Sequence, residues 1–316
     1  MRILLTGCAG FIGYHLSKKL SNSGFKVIGL DNINDYYSIK LKNERIKKLE
    51  STENFQFFKF DISKASLNEY LKDKNIDLVV HLAAQAGVRS SFKMPLNYIN
   101  SNIIGTFNIL EFCAEKNIDL LYASSSSVYG DHINSSSEEK DSTENPTSLY
   151  ALTKKSNEMM VKIYCDHYDL NAAGLRFFTI YGEYGRPDMA YWIFTENALN
   201  GNSIEVFGDG STLRDFTYIE TAIEAMFSII NNFNKIKGHE VFNIGNKDPR
   251  SINDLLEIIE NHTNTALKIF FKDKDKFDVG ITSANTNKFE SLFGELKHIT
   301  LEQGISNFIK WYKEFK

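Results

Sequence analysis

Tyr150 and Lys154 stand four residues apart in the run Tyr-Ala-Leu-Thr-Lys, just beyond Pro146 and Ser148, which read as a helix start. That interval places both side chains on one helical face. A phenol with a pKa of about 10 is a poor base at neutral pH, but a neighbouring ammonium favours its phenolate. Tyr150 is therefore the candidate catalytic base and Lys154 its tuner. Ser125 lies 25 residues upstream in Ala-Ser-Ser-Ser-Ser-Val-Tyr-Gly, at the end of a strand pattern, where its hydroxyl could hydrogen-bond the oxygen that Tyr150 deprotonates.

A second constellation sits at the start of the chain. Gly7, Gly10 and Gly13 follow directly on the apolar run Ile3–Leu5 and open a helical pattern. Glycines in that place let backbone approach a pyrophosphate, and the helix N-terminus offers it N–H groups and a positive dipole. Asp31 ends the second strand pattern, 24 residues after Gly7, where a carboxylate can accept hydrogen bonds from an adenosine ribose. Asn32-Ile33-Asn34 supplies no arginine for a 2′-phosphate. The cofactor expected is NAD, whose cationic nicotinamide would further favour a Tyr150 phenolate.

These residues need rigid elements beneath them. Short apolar runs alternate with longer amphipathic ones over the first 125 residues. Ile3–Leu5, Lys26–Leu30, Phe55–Phe60, Leu78–Leu82 and Leu120–Ser124 read as strands, with Phe11–Leu20 and Ile99–Lys116 as helical patterns between them. That rhythm predicts an α/β fold, a Rossmann-type doubly wound parallel sheet with ligands beyond the carboxyl ends of its strands. Residues 1–175 are expected to form the NAD-binding domain, with part of 215–247 returning to it. The aromatic, glycine-containing segments of 176–316 are expected to form mainly a smaller C-terminal substrate-binding domain, with helices over Thr221–Phe233 and Ser251–Thr263.

Composition narrows the function classes. The chain has 316 residues, 42% hydrophobic and 24% charged, enough apolar surface for a packed core. A net charge of −4 lacks the broad basic footprint of a nucleic-acid binder. Cys8, Cys113 and Cys165 are scattered and odd in number, which argues against a disulfide framework and for a reducing compartment. The dispersed histidines, His15, His81 and His262 among them, read as surface or packing residues, and no metal is expected. No run reaches the roughly 18 apolar residues of a membrane span, and no signal peptide is legible, so a cytoplasmic protein is expected.

Taken in order, TGCAGFIG, LDNINDYYS, HLAAQAGVRSS, SSSSVYG, YALTK, LRFFTIYG, GRPDMA and RDFTYI resemble the extended short-chain dehydrogenase/reductase family over nearly the whole chain. Within it the chain is most similar to nucleotide-sugar 4-epimerases, and DNINDYY and GRPDMA look most like UDP-glucuronate 4-epimerases. The resemblance implies further cofactor contacts at Phe11, Ile12, Asn32, Asp61, Ile62, Leu82, Ala83, Asn102 and Phe178. It also implies a homodimer built from two helices of each subunit. By the same resemblance Arg214 holds the UDP-sugar's diphosphate and Arg186 its C6 carboxylate. Thr179 stands where galactose-type members have Asn and glucuronate-type members accept Thr. Asp278 keeps the place of a uridine-ribose contact, although the usual preceding Gly-Asp step is absent.

Arginine usage points the same way. Only 7 of the 36 basic residues are arginines, and Arg89, Arg176, Arg186, Arg214 and Arg250 fall in or beside the motif segments. Arginine is the residue for a planar, bidentate grip on phosphate or carboxylate. Arg89 and Ser126 complete the candidate substrate contacts.

Several rivals share this scaffold. A 4,6-dehydratase needs an Asp-Glu pair directly after the catalytic hydroxyl residue, and a decarboxylase a Glu; here Ser126 and Ser127 supply neither. The reading is thus NAD-dependent 4-epimerisation of UDP-glucuronate to UDP-galacturonate through a 4-keto intermediate. UDP-glucose or UDP-N-acetylglucosamine is the alternative substrate. An oxidoreductase that releases NADH, or a silent NAD-binding sensor, would be separated from it by whether NAD stays bound and is regenerated.

Overall fold

The structure describes residues 1–64, 66–72, 74–131, 136–273 and 279–316. In the computed structural model the chain forms two compact units: 1–130 with 142–176 and 223–242, and 131–141 with 177–222 and 243–316.

The first unit is built on a seven-stranded sheet. Its strands are β1 (Arg2–Thr6), β2 (Lys26–Asp31), β3 (Phe55–Lys59), β4 (Leu78–His81), β5 (Leu120–Ser125) and β6 (Ala172–Phe177), with β10 (His239–Ile244) at one edge. They run in the order β10-β6-β5-β4-β1-β2-β3. β1 pairs in parallel with both β2 and β4, β2 with β3, and β4 with β5. The order reverses direction between β1 and β4, and a crevice at the carboxyl ends of the strands opens at such a switch point. β1 and β4 are almost wholly buried, as Ile-Leu-Leu and Leu-Val-Val must be when helices cover both faces.

The helices of this unit include α1 (Phe11–Asn22), α2 (Ile39–Glu50), α3 (Leu67–Tyr70), α4 (Val88–Lys93), α5 (Pro95–Tyr98), α6 (Gly105–Lys116) and α7 (Leu149–Tyr168). On one side of the sheet Leu4, Val79, Leu120 and Tyr122 pack with Ile109, Phe112 and Cys113 of α6 and Val161 and Cys165 of α7. α7 begins where the sequence places it: the Ser148 hydroxyl accepts from the Ala151 amide, an N-cap. The continuous helix expected over Ile99–Lys116 is corrected. Residues Ile99–Ile104 form a π-helical turn before α6. The extra residue turns Asn102 inward, where its side chain accepts from the Gln85 amide (2.8 Å) and donates to the Gln85 carbonyl (3.0 Å) and the Thr153 hydroxyl (2.9 Å).

The second unit holds a three-stranded sheet, β11 (Pro249–Ser251), β9 (Leu213–Tyr218) and β7 (Thr179–Tyr181), and a two-stranded one, β12 (Lys268–Lys272) with β8 (Ser203–Phe207). Around them lie α8 (Ala190–Leu199), α10 (Ile252–Thr263), α11 (Asn287–Phe293) and α12 (Leu301–Phe315), while α9 (Ile219–Asn231) follows β9. Asp215, fully buried in β9, accepts from the amides of Asn246 (2.6 Å), Lys247 (3.1 Å) and Ala284 (2.9 Å), fixing the strand that carries Arg214. No described helix is long and apolar enough to cross a membrane.

His81, at the end of β4, is buried between the hydroxyls of Thr6 (2.7 Å) and Thr106 (3.1 Å). Burial, helped by the Lys154 charge, pushes its pKa down to about 3, so it stays neutral in the folded chain while the unfolded chain binds a proton below about pH 6.5. Its contribution is complete above that pH and is lost as the pH falls, at up to about 1.4 kcal/mol per pH unit. Urea unfolding at pH 7, 6 and 5 should show this decline, and His81→Gln should remove about one proton from its slope. An unchanged slope would place the proton uptake elsewhere.

Candidate active site

The glycine loop joins β1 to α1 through backbone alone. A Cβ on Gly7, whose φ is +77°, would lie 2.7 Å from the Ala83 nitrogen, and one on Gly13 would lie 2.0 Å from the Gly7 carbonyl oxygen. The carboxyl ends of β1 and β4 are thereby drawn together: Leu82 and Ala83 donate their amides to the carbonyl and hydroxyl of Thr6. Gly10 caps α1 without a side-chain hydrogen bond, so the loop leaves the first-turn amides to a ligand anion. Phe11 is buried beneath them and Ile12 half-buried.

Asp31 ends β2 beside this loop. Its carboxylate accepts from the amides of Ala9 (3.1 Å) and Ile33 (2.8 Å). Burial pushes the carboxyl pKa up, while those amides and Lys42 pull against the shift. The following turn is wound by side chains: Asn32 Oδ1 accepts from the Asn34 amide and Asn34 Oδ1 from the Tyr36 amide. It holds Ile33 at φ 51°, a left-handed conformation that a β-branched residue rarely adopts. Asn32 donates to Asp61 (3.3 Å), which the Ser63 hydroxyl and amide also hold. Ile62 packs against Gly105 and receives Asn108 at its carbonyl. The structure thus gathers Gly7, Gly10, Phe11, Ile12, Gly13, Asp31, Asn32, Asp61, Ile62, Leu82, Ala83 and Asn102 at the carboxyl edge of one sheet.

On the other side of the switch point, α7 packs on β5 and on the 3₁₀ turn Ser126–Tyr129. Lys154 is buried and its ammonium donates to the Ala123 carbonyl (2.7 Å), one strand residue before the serines. Burial lowers its pKa to about 8, with the Glu158 charge holding it up. Tyr150 is half-buried on the same face, its ring edge-on to Tyr98 at 6.2 Å. The Ser125 hydroxyl donates to Ser127 Oγ (3.1 Å) and accepts from the Ser127 amide (3.2 Å), which fixes it at the mouth of the turn. Ser125, Tyr150 and Lys154 therefore come from two elements that pack directly. Ser126 is half-buried beside them, and Arg89 is exposed on α4.

Phe178, Thr179, Arg186 and Arg214 belong to the second unit. Arg186 grips Asp188 bidentately, Nε to Oδ1 at 3.0 Å and Nη2 to Oδ2 at 2.5 Å. Arg214 donates to its own strand at the Leu213 carbonyl (2.9 Å). Asp278 lies outside the described residues. Three of the five motif arginines hold carboxylates of the chain itself: Arg186 as above, Arg176, which clamps Glu158, and Arg250, which pairs with Asp254 and Glu302. Arg176 and Arg186 show the bidentate geometry, whereas Arg250 divides its hydrogen bonds between two carboxylates.

Sequence reasoning passed over Glu158, although its place four residues after Lys154 on the same face was a usable signal. It also passed over Lys42 and Arg45 of α2. Lys42 donates to the carbonyl and side chain of Asn34 (2.7 and 2.6 Å), and Arg45, fully buried, donates to the Ala9 carbonyl (2.7 Å) and the Tyr37 hydroxyl (2.6 Å). Both bring positive charge to the Asp31 turn. Among the described residues no cluster of His, Cys, Asp and Glu could hold a metal ion.

Residues 3–245 match the model of the NAD dependent epimerase/dehydratase family. An uncharacterized protein of Methanocaldococcus jannaschii is 46% identical, over 99% of this chain and 97% of that one. UDP-glucuronate 4-epimerase 4 of Arabidopsis thaliana is 40% identical over 99% of this chain and 75% of its own. The crystal structure of UDP-glucuronic acid 4-epimerase from Bacillus cereus, in complex with UDP-glucuronic acid and NAD, superposes with a TM-score of 0.95 at 34% identity, covering all of both chains.

Because the glycine loop has no room for a side chain, Gly13→Ala should cost about 1–3 kcal/mol of stability in urea unfolding. Gly280→Ala, where nothing lies within 4 Å, should stay within about 0.5 kcal/mol of the parent. Equal effects at the two positions would show that the loop relaxes freely.

Proposed function

The chain belongs to the NAD dependent epimerase/dehydratase family, and on that premise we propose that it converts UDP-glucuronate to UDP-galacturonate by 4-epimerisation with NAD as its cofactor. The observation that carries this reading is the Tyr150/Lys154 face of α7 lying on a strand end that offers Ser125 and then two more serines in place of an acid. The residues fit a dinucleotide: a glycine loop that side chains would fill, a helix N-terminus without a side-chain cap, and a strand-end carboxylate. Gly7, Gly10, Phe11, Ile12 and Gly13 would cradle the pyrophosphate and Asp31 with Asn32 the adenosine ribose. Asp61, Ile62, Leu82, Ala83, Asn102, Tyr150, Lys154 and Phe178 would complete the contacts. Asn102 already makes three hydrogen bonds, two to Gln85 and one to Thr153, so its larger part is to hold the Gln85 loop to α7.

Bound NAD supplies a reversible acceptor for the C4 hydride, so the sugar passes through a 4-keto form with no net oxidation. Tyr150 takes the proton from the 4-hydroxyl and returns it. Ser125 hydrogen-bonds the same oxygen, and Lys154 holds the positive charge that favours the Tyr150 phenolate. Ser126 and Ser127 provide no general acid for loss of water. In the second unit we assign the diphosphate to Arg214 and the sugar carboxylate to Arg186, with Thr179 beside it; Arg89 is a further candidate. A substrate carboxylate would take over from Asp188 on Arg186. That existing pair also favours a second reading, a neutral UDP-hexose, which would leave it intact. We place the protein in the cytoplasm, where its three unpaired buried thiols suit a reducing medium.

A homodimer is the remaining part of the proposal. Leu152, Met159 and Ile163 of α7 are exposed, as are Ile104 and Phe107 at the start of α6, and the Tyr164 hydroxyl bonds Glu111 to hold the two helices together. A two-helix apolar face of this kind suits the same face of a second copy.

Purified without added cofactor, the protein should turn UDP-glucuronate into UDP-galacturonate and retain deuterium placed at C4, followed by NMR. Tyr150→Phe should lower kcat by at least about 10²-fold. Conversion of UDP-glucose alone would move the assignment to the second reading, and a near-normal Tyr150→Phe would remove the tyrosine from the mechanism. Light scattering should give twice the chain mass, and Met159→Glu with Ile163→Glu should halve it; a monomeric parent would refute the dimer.

A further inference from the structure

Behind the face that carries Tyr150 and Lys154 lies a closed group of buried ions that the proposed chemistry does not touch. Glu158 stands one helical turn beyond Lys154 and is 4% exposed, as are Lys154 and Arg176. Its Oε1 accepts from the Ser124 hydroxyl (2.6 Å) and from Arg176 Nε (2.8 Å), and its Oε2 from Arg176 Nη2 (2.9 Å). The remaining arm of Arg176 donates to the Tyr129 hydroxyl (3.0 Å), and the Tyr129 ring faces the guanidinium at 4.8 Å. One carboxylate thus ties α7 to Ser124, the residue before Ser125, and one guanidinium ties it to the end of the turn that follows.

We propose that Glu158 is a positioning residue whose carboxylate, pinned by Arg176, balances the charge of Lys154 and fixes the strand end that presents Ser125. This rests on the assignment of Tyr150 and Lys154 made above.

A purely structural role would not need ions. A buried pair of this kind can often be replaced by apolar residues of similar volume without loss of stability, because its desolvation offsets its attraction. What an apolar pair cannot supply is a negative charge next to a lysine that must stay protonated. Lys154, Arg176 and Glu158 together carry one net positive charge, which a Tyr150 phenolate would neutralise. Lys155, next to Lys154 on α7, also acts on Glu158 as a positive charge, while the neighbouring groups of the sheet contribute none. His81 of β4 is held neutral by burial and by Lys154, and Tyr122 of β5 is pushed well above its ordinary range by burial and by Glu158. β5 otherwise gives Lys154 only the Ala123 carbonyl. Burial raises the Glu158 carboxyl, but Arg176 and Ser124 overcome it and leave the group below its ordinary value, so it is an anion throughout the working range.

The consequence is directional. An arginine in a protein does not give up its proton, but a buried lysine can, and removing the Glu158 charge takes away the charge that holds the Lys154 pKa up. Removing the Arg176 charge instead takes from Glu158 the cation it is bonded to, so that the carboxylate's attraction falls on the α7 lysines, Lys154 among them. The alkaline limb of kcat/KM, expected near pH 8 from Lys154, should then move in opposite directions in the two variants.

The experiment is the pH profile of kcat/KM for the full-length protein with NAD and UDP-glucuronate, alongside Tyr150→Phe. Glu158→Gln should shift the alkaline limb to lower pH by at least about one pH unit, and Arg176→Met should shift it upward. Glu158→Asp, which keeps the charge on a shorter arm, should hold the limb in place while kcat falls. The two charge-changing variants test the idea independently, so failure of one to fold leaves the other decisive. A folded variant of either kind whose limb coincides with the parent's, with only stability or rate altered, would overturn the inference. If Tyr150→Phe itself retained the parental rate, the underlying assignment would fall instead.

Discussion

The demand on which this architecture turns is that a lysine remain charged where water is excluded. An ammonium taken out of water tends to lose its proton, and for Lys154 burial already brings the pKa down to about 8. Two features resist that loss: the Ala123 carbonyl at 2.7 Å and the Glu158 carboxylate one turn along the helix, which the Arg176 guanidinium clamps in place. The groups involved come from three elements, so β5, β6 and α7 must meet within tenths of an ångström. The buried core of Val79, Leu120, Tyr122, Val161 and Cys165 supplies that rigidity.

The glycine loop meets a comparable constraint by subtraction. At the switch point the carboxyl ends of β1 and β4 approach so closely that no Cβ fits at Gly7 or Gly13, and the space that side chains would have filled is left to backbone amides. The cost appears next door, in the turn after β2. There Ile33 is held in a left-handed conformation by Asp31, while Asn32 and Asn34 bend the chain toward Asp61 and Lys42. Strain at a β-branched residue costs on the order of 1–3 kcal/mol and persists only where several hydrogen bonds over-determine it, as they do here. A turn so fixed keeps the Asp31 carboxylate aimed without relying on a ligand to order it.

What could be read from the sequence was whatever depended on short intervals. The Gly7-Gly10-Gly13 spacing, the strand-end Asp31, the Ser148 cap and the four-residue step from Tyr150 to Lys154 are local, and each follows from the geometry of a single turn or helix. The strand segments Ile3–Leu5, Lys26–Leu30 and Leu78–Leu82 were legible for the same reason. The π turn at Ile99–Ile104 was not, because what stabilises it is the partnership of Asn102 with Gln85 and Thr153, 17 and 51 residues away. Glu158 and Arg176 lie 18 residues apart, Arg45 and Ala9 36, and no periodicity relates them. The arginine bias was informative about geometry and silent about partners. Arg176 and Arg250 hold carboxylates as expected, but the carboxylates belong to the chain.

Arg186 shows why that silence matters for specificity. A binding site rejects an analogue strongly when the missing group leaves a desolvated donor without a partner. Arg186 is already satisfied by Asp188 two residues on, through two hydrogen bonds in a partly exposed pair. On its assignment to a sugar carboxylate, binding exchanges one carboxylate for another on the same guanidinium. The gain is then the difference between two similar charge-assisted pairs, which is far smaller than either alone. A neutral sugar in its place would leave the Arg186–Asp188 pair closed and incur no unpaired charge. Discrimination between acidic and neutral sugars must therefore come from the space the carboxylate occupies and from where the freed Asp188 goes, because the arginine by itself imposes little penalty on either.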